Sequence, residues 1–315
     1  MKTVILESLG ISREKLAALE KPFQDAGDTF EEYERTADPN KLVQEVGDAE
    51  AMIIANMPMP GDVIRRCPNL KYIDVAFTGV DHVGLDACRE KGIAVSNASG
   101  YSNEAVAELA VGMVISLLRN IPQVDARVRS HGTKDGLVGC ELKGKTVGII
   151  GLGHIGRRSA ELFHAFGARI AAHSLHEHSD WPDYITQLSL DGLLQTSDIV
   201  VLHCPLNDST RGMIDAKKLS LMKKSAILIN VARGPVVVAA DLADALKRGV
   251  IAGAGIDVFD AEPPIPESEP LLSAPNTLLT PHVAFATKES MDLRADIVFD
   301  NLRAWMDGRQ KNVIL

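Results

Sequence analysis

Short apolar runs recur along the chain, and most are followed by a stretch with helical spacing. Residues 147–150 form a β-branched run bounded by glycines, which suits a buried parallel strand, and Leu162, Phe163 and Phe166 behind it have the spacing of a helix face. Runs 3–6, 51–55, 72–76 and 93–95 read as strands, interleaved with helices at 14–19, 62–67 and 85–91 and a helix start at Asp38-Pro39-Asn40. Further along, 169–173, 199–203, 226–230, 251–256 and 277–279 read as strands, with a helix at 241–248. Strands that alternate with helices imply parallel sheets. Residues 103–119, through Val106, Leu109, Val111, Met113, Val114, Leu117 and Leu118, are apolar nearly all round and predict a helix buried on every face. The polar stretch 127–140 predicts irregular structure.

At 315 residues the chain exceeds a typical single core, so two domains are expected. A hydrophobic content of 46% with 24% charged residues is ordinary for a globular protein, and a net charge of −9 offers no basic footprint for nucleic acid. The N-terminus reaches Glu7 too early for a signal peptide, and no apolar run approaches membrane-spanning length. A cytoplasmic location with no membrane partner is the expectation. Cys67, Cys88, Cys140 and Cys204 lack CxxC spacing, which suggests neither a zinc site nor disulfides.

Between the strand at 147–150 and its helix lies Gly151-Leu152-Gly153-His154-Ile155-Gly156. In a strand-turn-helix the first glycine permits a tight turn, the second admits a pyrophosphate to the backbone, and the third lets helix and strand pack closely. The helix N-terminus adds unpaired N–H groups and the positive end of its dipole. The second strand of such a unit ends at Ser174, where an acid would bind the adenosine ribose and repel a 2′-phosphate. Ser174 carries no charge, and no Arg or Lys follows before Thr210. His173, His176 and His178 suit a solvated loop better than a metal site, and no metal is expected.

Polar residues also follow three later strands: Asn230-Val231-Ala232-Arg233-Gly234, Asp257-Val258-Phe259-Asp260-Ala261-Glu262, and Thr280-Pro281-His282-Val283-Ala284. Strand carboxyl ends beside a nucleotide crevice are where a reacting substrate lies. Hydride transfer to a carbonyl needs a proton donor, and histidine titrates near neutral pH. A carboxylate beside it raises its pKa, while a guanidinium binds an α-keto carboxylate as a fork. In the first half of the chain, Phe77-Thr78-Gly79-Val80-Asp81-His82 occupies a strand end, where a plain turn explains it equally well.

Through GIIGLGHIG at 148–156, INVARGPVV at 229–237, GIDVFDAEP at 255–263 and TPHVA at 280–284, the chain resembles the D-isomer-specific 2-hydroxyacid dehydrogenase family over nearly its whole length. The resemblance implies that Arg233 binds the substrate carboxylate and carbonyl oxygen, that His282 is the acid/base, and that Glu262 buttresses it. It implies that Thr78 and Gly79 give backbone N–H groups to the substrate carboxylate. It assigns to the coenzyme Gly151, Gly153, His154, Ile155, Gly156 and Ser174, the strand-end residues Cys204, Pro205, Val231 and Ala232, and, near the nicotinamide, Asp257 and His282.

The expected fold is α/β with two domains: a Rossmann dinucleotide-binding domain at 99–284 and a flavodoxin-like substrate-binding domain from 1–98 and 285–315. The expected activity is hydride transfer between a nicotinamide coenzyme, NAD by a slight lean or NADP, and a small D-2-hydroxy or 2-oxo acid. An NAD-binding regulator of the same fold and a phosphonate-type dehydrogenase remain alternatives. A homodimer built around the helix at 103–119 is expected. The loop at 56–61 has no cation of its own, which disfavours a phosphorylated substrate and leaves glyoxylate, hydroxypyruvate or pyruvate.

Overall fold

The computed structural model describes residues 1–174, 181–261 and 264–315. By their contacts they form two compact units, Met1–Ser102 with Ala286–Leu315, and Asn103–Phe285. These junctions fall after 102 and 285, where the sequence suggests 98 and 284.

The first unit runs β1 (Lys2–Ile5), α1 (Arg13–Gln24), β2 (Thr29–Glu32), α2 (Pro39–Val46), β3 (Ala51–Ile54), α3 (Gly61–Arg65), β4 (Tyr72–Val75), α4 (Leu85–Lys91) and β5 (Ala94–Asn97). Its sheet is parallel throughout, in the order β2-β1-β3-β4-β5, which is the flavodoxin-like winding. Every residue of β3 and β4 is buried, as a central strand covered on both faces requires. The edge strand β2 was not evident in the sequence, because TFEE is mostly exposed and has no apolar run.

The second unit contains α5 (Asn103–Leu118), α6 (Ile121–Arg129), β6 (Thr146–Ile150), α7 (His154–Ala165), β7 (Arg169–His173), β8 (Ile185–Gln187), α8 (Leu190–Thr196), β9 (Ile199–Leu202), α9 (Ala216–Leu221), β10 (Ile227–Asn230), α10 (Ala239–Lys247), β11 (Gly253–Ile256) and β12 (Thr277–Leu279). Its parallel sheet has the order β12-β11-β10-β9-β6-β7-β8. Two strand series wind outward from β6 and β9, the doubly wound arrangement that places ligands at the carboxyl ends of the strands. The helix Lys288–Met306 (α11) then returns to the first unit and packs on α1 and β4.

Three sequence expectations need correction. The apolar face of α7 is Gly156, Ser159, Ala160 and Phe163, whereas Phe166 caps the helix and is 50% exposed. Residues 127–129 belong to α6, a helix with no buried residue and therefore no apolar stripe to betray it. Helix α5 is not buried on every face: Glu104, Glu108 and Gly112 are exposed, and Leu117 and Leu118 are half-buried. No single helix among the described residues is long and apolar enough to cross a membrane; α5 and α6 reach that length only as a pair bent by 58°.

A buried polar cluster braces the first unit behind β4. Asn301 Nδ2, from α11, donates to Asp74 Oδ1 at 3.2 Å and to the Asn97 carbonyl at 2.9 Å, and Asn97 Nδ2 donates to the Thr78 carbonyl at 2.7 Å. Asp74 is fully buried, and desolvation raises its carboxyl to about 8. An acid with a raised folded-state pKa binds more protons folded than unfolded, so its contribution to stability falls as pH rises from about 4 through 8. Asp74→Asn should flatten that dependence: relative to the wild type, denaturant unfolding should show the variant gaining stability between pH 5 and 8. A constant difference across that range would contradict a protonated Asp74.

Candidate active site

The glycine-rich turn is built as its residues demand. Gly151 has φ +93°, a conformation glycine adopts without strain, and a Cβ there would lie 2.6 Å from the Cys204 backbone nitrogen. A Cβ at Gly156 would come within 2.1 Å of the Gly151 carbonyl oxygen, so the third glycine is what lets α7 start against β6. A Cβ at Gly153 would meet nothing within 4 Å. Among the described residues no side chain caps α7, as none caps α3, α4, α6 or α10. A cap contributes about 1 kcal/mol; without one, the first N–H groups of α7, at His154 and Ile155, remain available to an anion. An open second glycine before an uncapped helix fits a dinucleotide pyrophosphate.

Around this turn, Ser174 follows β7 and is half-buried, and Pro205 is exposed behind the buried Cys204, whose thiol burial raises to about 11. His203 was read only as a strand end. Its Nε2 lies 2.8 Å from Ser159 Oγ beneath the turn, and desolvation lowers its pKa to about 3, so the ring is neutral. Among the described residues, no three His, Cys, Asp or Glu side chains group as metal ligands; His176 and His178 lie outside those residues.

Arg233, Asp257 and His282 follow the neighbouring strands β10, β11 and β12 at the carboxyl end of this sheet. The Asn230 side chain stitches the first loop, accepting from Ala232 N at 3.1 Å and donating to the Arg233 carbonyl at 2.9 Å. Arg233 is half-buried, and its Nη1 donates to the Ala232 carbonyl at 2.8 Å, beside the buried Val231. A Cβ at Gly234 would sit 2.0 Å from the Phe259 carbonyl carbon, so only glycine lets the loop after β10 lie against the loop after β11. Asp257 is fully buried. Its Oδ1 accepts from Thr280 Oγ1 at 2.6 Å and Val283 N at 2.9 Å, and its Oδ2 accepts from Ala284 N at 2.9 Å. The His282 backbone N–H donates to the Asp257 carbonyl at 2.7 Å, and His282 itself is left-handed at φ +55°. The His282 ring is half-buried and meets Phe285 edge-on at 5.5 Å. Nothing in the residue pattern shows this use of the Asp257 carboxylate as a brace for the histidine loop, because its partners lie 23 to 27 positions away. Glu262 lies outside the described residues.

In the first unit, Thr78 is exposed and Gly79 half-buried just beyond β4. Among the described residues their N–H groups have no hydrogen-bond partner, while the Thr78 carbonyl is held by Asn97. Beside the loop at 56–61, the sequence-based picture lacked a cation. The structure supplies one from elsewhere: Arg35 Nη1 donates to Asn56 Oδ1 at 2.9 Å and lies 3.8 Å from Glu7.

The profile of the family described as D-isomer specific 2-hydroxyacid dehydrogenase, NAD binding domain, matches residues 111–284. A glycerate dehydrogenase of Methylorubrum extorquens is 37% identical over 313 residues, covering 96% of this chain and 97% of its own. A hydroxypyruvate reductase of Blautia hydrogenotrophica is 33% identical over 292 residues, with 90% of each chain covered. Among solved structures, the D-lactate dehydrogenase of Aquifex aeolicus, complexed with NAD and lactic acid, superposes with a TM-score of 0.86 at 28% identity, over 98% of this chain and 96% of that one. With the glycine-rich turn and the three polar strand ends already in place, these matches establish that the chain belongs to the D-isomer specific 2-hydroxyacid dehydrogenase family, an α/β oxidoreductase that transfers hydride between a nicotinamide coenzyme and a small 2-hydroxy or 2-oxo acid.

Proposed function

We propose that this chain reduces glyoxylate or hydroxypyruvate, with Arg233, Glu262 and His282 as its catalytic residues. The observation that carries the residue roles is that the Arg233 and His282 loops follow β10 and β12, which flank β11, at the same carboxyl end of the sheet as the glycine-rich turn. Bound nicotinamide supplies the hydride to the α-carbon, or accepts it in the reverse direction. Protonated His282 gives its ring proton to the carbonyl oxygen as that oxygen gains charge, and the neutral ring takes it back in oxidation. The Arg233 guanidinium binds the substrate carboxylate and stabilises the developing alkoxide. Glu262 favours the imidazolium form of His282, and the N–H groups of Thr78 and Gly79 meet the substrate carboxylate. Arg35 is already engaged by Asn56 and Glu7, which supports a substrate without phosphate.

His282→Ala should lower kcat by a factor on the order of 10² to 10⁴ while NADH binding, read by fluorescence, persists. A kcat near that of the wild type would refute the role. Glu262→Gln removes a charge that favours imidazolium, so the acid/base pKa of the pH-rate profile should fall. An unmoved profile would break the pairing.

NADH is the proposed coenzyme by a small margin. Ser174 neither repels nor attracts a 2′-phosphate, and the His173 ring Nδ1 is held 3.1 Å from the Leu188 carbonyl. The preference in kcat/KM should be about tenfold or less, roughly 1.4 kcal/mol, and smaller at pH 6 than at pH 8. A preference above a hundredfold, or one independent of pH, would show that other contacts govern the pocket.

The proposed assembly is a homodimer in the cytoplasm. Helix α5, around which the dimer is proposed, leaves Leu117 and Leu118 half-buried, and the following α6 exposes Ile121 and Val128 at 44% and 69%. Light scattering at micromolar concentration should give twice the 33.9 kDa chain mass, and a monomer mass would refute the dimer.

A further inference from the structure

Helix α11 carries an arginine where its packing calls for an apolar residue. Arg294 is 2% exposed, in the same helix as the buried Ala295, Val298, Phe299 and Leu302. Its Nη2 donates to the Leu9 carbonyl at 2.7 Å, just beyond β1. The guanidinium carbon lies 6.0 Å from the centroid of the Phe77 ring and 5.8 Å from that of Tyr101, and the two rings are 6.1 Å apart. The Tyr101 hydroxyl and the buried Glu7 carboxylate both favour the charged guanidinium, opposing the desolvation that lowers its pKa. Glu7 in turn holds the strand end after β3, its Oε1 accepting from Ala55 N at 2.7 Å and Met57 N at 2.8 Å. One buried cation thus gathers the chain segments that follow β1, β4 and β5, at the sheet edge where Thr78 and Gly79 present open N–H groups.

Burying a guanidinium is costly before its partners offset it, and a volume-matched apolar side chain in such a place is often neutral or stabilising. Stability alone therefore does not account for an arginine here. The bonds instead set geometry. Phe77 immediately precedes Thr78, and the planar guanidinium between Phe77, Tyr101 and Leu9 fixes the ring from which the Thr78–Gly79 backbone departs.

We propose that Arg294 is a positioning residue for 2-oxo acid recognition, holding Phe77 and Tyr101 so that the Thr78 and Gly79 N–H groups stay aligned on the substrate carboxylate. The inference rests on the reading above that those N–H groups meet the carboxylate. Arg294 does not touch the reacting atoms, so its loss should weaken substrate binding and spare the chemical step.

The test is steady-state kinetics with glyoxylate at saturating NADH for the wild type, Arg294→Met and Arg294→Lys, alongside the NADH dissociation constant and thermal unfolding. Arg294→Met should raise KM for glyoxylate about tenfold or more, with kcat within about threefold and NADH affinity unchanged. Arg294→Lys keeps the charge and one donor but loses the planar fork, and should raise KM about threefold. If Arg294→Met does not fold, the lysine variant decides alone. A KM within twofold of the wild type in the folded variants overturns the proposal, as does a fall in kcat that matches the rise in KM. Ethyl glyoxylate, which lacks the carboxylate, tests the underlying reading separately in the wild type. If the ester is reduced as well as glyoxylate, carboxylate recognition itself fails; if only glyoxylate is reduced, an unchanged KM in the variants counts against Arg294 alone.

Discussion

The loop after β12 in the second unit depends on one buried carboxylate. Asp257 sits at the end of β11 with no exposure and gives both oxygens to the loop after β12, through Thr280, Val283 and Ala284. That loop turns through His282 in a left-handed conformation, which costs a non-glycine residue on the order of 1–3 kcal/mol. A hydrogen bond contributes about 1 kcal/mol, so the three that Asp257 accepts are of the size needed to hold that strain. The strained backbone aims the histidine, and the aspartate holds the strain in place.

Backbone proximity organises the rest of the same edge. Gly156 lets α7 begin against the Gly151 carbonyl, and Gly234 lets the arginine loop lie on the Phe259 backbone. These are contacts no Cβ could share, so the loops after β10 and β11 are locked side by side. In the first unit the corresponding support comes from buried polar side chains: Asn301 ties α11 to Asp74 and Asn97, and Asn97 holds the Thr78 carbonyl. In both units, then, buried polar side chains hold the strand ends, and in the second unit close glycine contacts add to them.

The sequence disclosed what depends on local chemistry. Strands β7 and β12 match their expected bounds because each is an apolar run with clear ends, and the glycine turn is legible because its spacing encodes its geometry. Elements without a buried face were not legible: β2 is an exposed edge, β8 has three residues, and α6 buries nothing. Of the site, Arg233 and His282 stood out as polar residues after apolar strands. The clamp by Asp257, the neutral His203 under the turn and the buried Arg294 did not, because each depends on partners far along the chain. A charged residue on an amphipathic helix reads as solvent-facing until the packing is known.

The most direct test of the account is the kinetics of Asp257→Asn with the backbone loop as its target. The amide keeps the size of the carboxylate and one acceptor oxygen, but it cannot accept from both sides and carries no charge. The account predicts that kcat for 2-oxo acid reduction falls by about tenfold to a hundredfold while the variant still unfolds cooperatively, because the His282 ring is no longer held in place. A kcat within twofold of the wild type, with an unchanged pH profile, would mean that the histidine keeps its position without the buried carboxylate.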